Sequence, residues 1–176
     1  IYGGQIENCV FSGSVAGKQG TGGIVGELND TRIKDCENNG SITGEVGTGG
    51  IVGMAGGFEE DGGIENCTNT GEVIGSAGYT GGIAGGAVDI SVDDCVNIGA
   101  IQGGTDENTG GVVGDIIEGS MQNCVNGGPV SGTANNVGGV AGFLSASTIQ
   151  NCVNYADVSS KNSIGGVAGF AEDGST

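Results

Sequence analysis

Apolar positions along this chain recur with a period of about 28 residues. The six cysteines, Cys9, Cys36, Cys67, Cys95, Cys124 and Cys152, are spaced 27, 31, 28, 29 and 28 apart. Three places before them stand Ile6, Ile33, Ile64, Val92, Met121 and Ile149, and six places after them Val15, Ile42, Val73, Ile101, Val130 and Val158. Polar positions share the period. Asn8, Asp35, Asn66, Asp94, Asn123 and Asn151 immediately precede the cysteines. Two residues after them come Phe11 and then Asn38, Asn69, Asn97, Asn126 and Asn154. A phrase Gly-Gly-(Ile/Val)-(Val/Ala)-Gly closes each repeat, opening at Gly22, Gly49, Gly81, Gly110, Gly138 and Gly165.

Self-similarity at such a period is the signature of stacked repeats, each too small to bury its own apolar residues. The apolar set holds 18 Val and 16 Ile against 2 Leu, a β-branched bias that favours strands. The pattern predicts an all-β fold, a parallel β-solenoid of six coils of about 28 residues, with residues 1–176 as one repeat domain. Two or three short strands per coil are expected: one ending near Cys, one at the Val or Ile six residues on, one through the closing phrase. At about 4.8 Å per coil the stack would be about 29 Å long. In-register stacking would place Asn on Asn, with side-chain amides bonding along the axis.

The Ile and Cys columns are three residues apart, so both can face inward only across a bend. Asn or Asp just before Cys suits that bend, because both tolerate left-handed backbone angles. Glycine numbers 42, and 28 of these fall in repeat columns. These columns serve either close backbone approach or positive φ at corners. The link from Gly53 to Cys67 is four residues longer than its counterparts, running Met54-Ala55-Gly56-Gly57-Phe58-Glu59-Glu60-Asp61-Gly62-Gly63 before Ile64, and should bulge from one coil edge. It reads as an acidic loop, or as part of a binding face.

Composition narrows the chemistry. There is no His and no Trp, one Pro, 4 basic residues and 21 acidic ones, for a net charge of −17. Without histidine there is no His-ligated zinc and no Ser-His-Asp triad, and no cofactor or metal ligand set is predicted. Four basic residues cannot neutralise a phosphate backbone, so no nucleic-acid partner is expected. No stretch reaches the roughly 20 apolar residues of a membrane helix, so no membrane insertion is expected. The missing initiator Met suggests a processed chain or a fragment of a longer protein.

Several residues invite a chemical reading. One cysteine per coil, without C-x-x-C, fits neither a tetrahedral metal nor disulfide geometry, so the column reads as a buried thiol ladder. Carboxylate pairs at Asp93-Asp94, Glu59-Glu60-Asp61 and Asp106-Glu107 could serve glycoside chemistry, but all lie beside turns, where solvated acids are expected. The basic residue such chemistry needs would have to be Arg32 or its neighbour Lys34. Thr21, Thr48, Thr80 and Thr109 form a column before the glycine pair, which on an exposed flat face could order water as ice-binding solenoids do. No catalytic, cofactor or metal residue is predicted, and the chain is expected not to be an enzyme.

The recurring I-x-N-C-x-N-x-G-x-V-x-G followed by G-G-I-V-G resembles the GLUG repeat of bacterial surface proteins. The likeness runs from Ile6-Glu7-Asn8-Cys9 to Gly165-Gly166-Val167-Ala168-Gly169, with Ile or Val in place of the motif's Leu. It implies an extracellular or cell-surface setting, in adhesin-like proteins or beside the catalytic domain of IgA-cleaving zinc metallopeptidases. The expected role is a non-catalytic scaffold, spacer or adhesive, with a host protein or glycan as ligand. Alternatives are a substrate-binding accessory region of a secreted peptidase and a carbohydrate-active β-helix. Both end coils should expose unpaired strand edges, which predicts end-to-end contacts or flanking repeats.

Overall fold

The computed structural model describes residues 4–57, 62–105, 108–133 and 135–176. The described residues form no helix. They wind as six coils, and strands at equivalent positions pair in parallel to make five six-stranded sheets. The fourth coil shows the unit: Ser91–Asp93, Val96–Asn97, Ile101–Gly103, Thr109–Gly110 and Val113–Ile117. The coil is therefore finer than the two or three strands expected. The closing phrase is not one strand but a corner between two. In the second coil Val46–Gly49 ends at the first glycine and Val52–Gly56 resumes after the bend. The amides of both Ile51 and Val52 donate to the Ile83 carbonyl across that bend.

Register is maintained through the stack. Ile6 pairs with Ile33, Ile33 with Ile64, Ile64 with Val92, Val92 with Met121 and Met121 with Ile149. Two left-handed corners recur at fixed columns among the described residues, and Gly20, Gly47 and Gly78 add a third in the first three coils. The first is the column before Cys: Asn8, Asp35, Asn66, Asp94, Asn123 and Asn151 all have φ between 49° and 55°. This bend lets both the Ile and the Cys column point inward, so Ile64 and Cys67, three apart, are both fully buried. The second corner lies six residues before Cys, at Asp30 (φ 45°), Asp89 (51°), Glu118 (53°) and Ala146 (48°). Asp30 and Asp89 signal such a corner in sequence, whereas Glu118 and Ala146 do not, so the residue types alone do not mark it as a column.

The interior has two apolar files. The larger joins the Ile and Cys columns to the closing-phrase residues Ile51, Val52, Ile83, Ala84, Val112 and Val113. The smaller holds Ile42, Val73, Ile101, Val130 and Val137. The Asn column is an amide ladder that packs against the opposite wall. Asn38, Asn69, Asn97 and Asn126 each donate Nδ2 to the Oδ1 of the next, at 2.7, 2.7, 2.8 and 2.8 Å. Each Nδ2 also donates to the carbonyl two residues on in its own coil, as Asn97 does to Gly99 at 3.0 Å. A Cβ added at Gly82 would lie 2.3 Å from Asn97 Cγ, so the second glycine of the pair is what admits the ladder. Close approach, rather than corner geometry, explains that glycine column.

Candidate functional site

The polar columns were the first candidates, and the structure turns most of them inward. Thr48, Thr80 and Thr109 are fully buried and Thr21 nearly so, which overturns the reading of a water-ordering face. The inward threonines explain another glycine column. A Cβ at Gly75 or Gly103 would lie 1.9 or 1.8 Å from the Thr80 or Thr109 hydroxyl oxygen. These hydroxyls have no conventional hydrogen-bond partner among the described residues. Each faces the Cα–H group of its glycine, a weak donor.

The cysteines are six free thiols. Cys36, Cys67, Cys95 and Cys124 are buried, as the thiol-ladder reading requires, while Cys9 is exposed and Cys152 half-buried because no coil covers them. Each of the four buried sulfurs donates to the carbonyl two residues back, as Cys95 does to Asp93 at 3.2 Å. Burial pushes the Cys36 thiol up to about 11. Cys95 is raised well above the usual thiol range by hydrogen bonding to Cys124 and Cys67 and by burial. Hydrogen bonding pulls the thiols the other way at Cys67, from Cys95, and at Cys124, from Cys152 and Cys95, so the neutral, small apolar role is that of Cys36 and Cys95.

Among the carboxylate pairs, Asp93 and Asp94 straddle the left-handed corner. Asp93 ends the strand Ser91–Asp93, half-buried, and burial raises its carboxyl against the opposing hydrogen bond from Ser91. Asp94 is exposed and accepts from Asn123 Nδ2 at 3.0 Å, part of an outer ladder in which Asn66 also donates to Asp35. Its role there is structural. Glu59, Glu60, Asp61, Asp106 and Glu107 lie outside the described residues. Lys34 pairs with Glu65 at 2.9 Å on the open surface, and Arg32 stands in register between Gln5 and Gly63. No cluster of three metal-ligating side chains occurs among the described residues.

The outward faces carry shallow grooves instead. One, of about 380 Å³, crosses three coils over Ile74, Gln102 and Ser131, with Ser76 and Thr133 at its rim. Another, of about 240 Å³, lies over Glu27, Asn29, Met54 and Val88. Sequence reasoning did not find these grooves, because the outward side chains over them, such as Ile74, Gln102 and Ser131 in register, change from coil to coil.

No protein-family model matches the chain, and no curated protein sequence does. Among solved structures it is similar to a candidate immunoglobulin A1 protease from Bacteroides ovatus, solved at 1.30 Å. The superposition has a TM-score of 0.71 and 22% identity, and covers 93% of this chain and 67% of the other. At that identity the likeness is one of fold: both chains contain the same kind of parallel stacked coil.

Proposed function

We propose that the chain is a non-catalytic extracellular scaffold of a bacterial surface or secreted protein, serving as a spacer or adhesive stalk. One observation carries the reading: the repeated polar columns are spent on the stack itself. The Asn column bonds along the axis, the Thr and Cys columns are buried, and the corner Asn and Asp residues set backbone angles. What varies from coil to coil lies on the outward faces, where a ligand would read it. The resemblance of the repeat motif to GLUG proteins supports an extracellular setting.

A second reading is favoured by the neighbouring structure: a substrate-binding accessory region of a secreted peptidase. The test is direct. The purified chain is immobilised and exposed to immunoglobulin A1, other host-surface proteins and a glycan array, and the same protein is assayed for peptide or glycosidic cleavage. Saturable binding without turnover supports the scaffold. Selective capture of immunoglobulin A1 favours the accessory reading, and cleavage by the isolated chain overturns both.

A further inference from the structure

Most glycines of this chain are required, either by close approach or by a left-handed angle. Gly56 is an exception. Its backbone is not left-handed, and among the described residues a Cβ there would meet only Asn29 Oδ1, at 3.6 Å, an ordinary contact. In register on either side of it stand Asn29 and Val88, both exposed on the outer face of the sheet. Gly56 therefore opens a gap of two strand spacings, about 9.6 Å, in an outward column that is otherwise filled. Val88 has a coil on each side of it and is still 42% exposed, because its neighbour across the gap carries no side chain.

This gap is the floor of the groove of about 240 Å³ between Glu27, Asn29, Met54 and Val88, with Ala55 beneath. Its walls are seated on glycines. The Glu27 stem lies over Gly20, with Cγ 2.7 Å from where a Cβ would stand, and the Met54 side chain lies over Gly47 in the same way. Gly20 and Gly47 have φ of 53° and 64°. The left-handed glycines thus hold the two wall side chains at the rim of the groove.

The lining fixes the chemistry of an occupant. Met54, Ala55 and Val88 are apolar, and among the described lining residues only Glu27 is charged. Asp30 and Asp89 follow Asn29 and Val88 directly, and the whole chain carries 21 acidic residues against 4 basic ones. A wholly apolar ligand would take water from the Glu27 carboxylate and return nothing to it. An anion or an anionic lipid surface would be repelled, and a second copy would bring its own net charge of −17. Small-molecule pockets usually run to about 300–1,000 Å³, so the volume suits a single long side chain better. What matches is an aliphatic stem that ends in a cation.

We infer that this groove binds a lysine or arginine side chain of a partner polypeptide, with its methylenes along Met54 and Val88 and its cation at the Glu27 carboxylate. Such a site adds to the scaffold role, which stands without it.

Fluorescence anisotropy of the full chain tests this. The probes are labelled peptides of about seven residues, alternating Ser with Lys, Ser with Arg or Ser with Glu, in about 0.15 M salt to screen distant charges. Saturable binding of a basic peptide and none of the acidic one is expected. Gly56→Leu fills the groove at unchanged charge and should weaken binding about tenfold or more, as should Glu27→Gln, which keeps the shape. Glu72→Gln, an exposed acid beside the strand Val73–Gly75 of another sheet, should leave binding within about twofold. Melting temperatures show whether each variant is folded. If Gly56→Leu unfolds the chain, the contrast between Glu27→Gln and Glu72→Gln decides alone. Failure of both basic peptides to bind, full binding by folded Gly56→Leu, or equal losses in the two Glu→Gln variants overturns the inference. So does self-association that Gly56→Leu abolishes, which would make a second copy the occupant. The scaffold reading is decided separately, by the capture and cleavage assays.

Discussion

Asn69 donates its Nδ2 to the Oδ1 of Asn97 at 2.7 Å, and both carboxamides are fully buried. A buried amide is costly unless its donors and acceptors are used, and here the neighbouring coil uses them. The ladder also fixes register, because a slip of one residue would present Val96 or Ile98 in place of Asn97.

Asn97→Leu should therefore take from Asn69 Nδ2 one of its two acceptors, leaving only the Gly71 carbonyl, and remove the side-chain donor to Asn126 Oδ1. The expected loss is about 3 kcal/mol, since each buried group left unpaired costs about 1–3 kcal/mol. Asn97→Asp should cost more at pH 7, because a charge replaces the amide. Burial raises the folded-state pKa of such a carboxyl above its unfolded value, so the penalty is absent at low pH and grows as pH rises through the unfolded value. Melting curves from pH 3 to 7 check both; a pH-independent loss for Asn97→Asp would contradict the burial.

Gly103→Ala forces a methyl group onto the Thr109 hydroxyl and should destabilise by about 1–3 kcal/mol, the usual cost of overpacking. Combining it with Thr109→Ala should recover most of that loss. A double-mutant cycle in denaturant measures the coupling. Additive losses would mean that the two residues do not compete for the same space.

Ala146 holds φ 48° in the second corner, where its relatives Asp30 and Asp89 are better suited. Ala146→Asn should stabilise the chain by roughly 1 kcal/mol, because Asn adopts left-handed angles at lower cost. Asn151→Ala, in the other corner, should do the reverse. Thermal unfolding of the two variants provides the check.

A thiol reagent at pH 8 should label Cys9 quickly and Cys36, Cys67, Cys95 and Cys124 only after denaturation. Because the Cys36 thiol is raised to about 11 in the fold, its contribution to stability is fully present below the unfolded value near 8.5. It is lost as pH rises from there through 11. Cys95→Asp should destabilise by several kcal/mol, since the site is fully buried. An unchanged melting temperature would show that the column faces water.

Much of this architecture was legible because stacking makes each column meet itself. Ile33 pairs with Ile64 and Asn69 with Asn97, so the reason for each residue recurs every 28 positions and the sequence displays it six times. The inward bend at Asn66 could also be read, since Ile64 and Cys67 demand it. The Thr109 column could not be placed, because a threonine beside glycine suits an open face as well as a packed wall. Its direction depends on Gly103, six residues away on another strand, which gives up its Cβ to the hydroxyl.

The sequence by itself determined the period, the parallel register, the Asn ladder and the absence of histidine chemistry, because each follows from residue types repeated at fixed spacing. Only the tertiary structure decided that each coil has five strands and that the Thr column is buried. Those outcomes depend on contacts across the coil's interior. The pairing of Thr176 onto Ser147 and of Phe11 beside Asn38 exists only once the chain is wound.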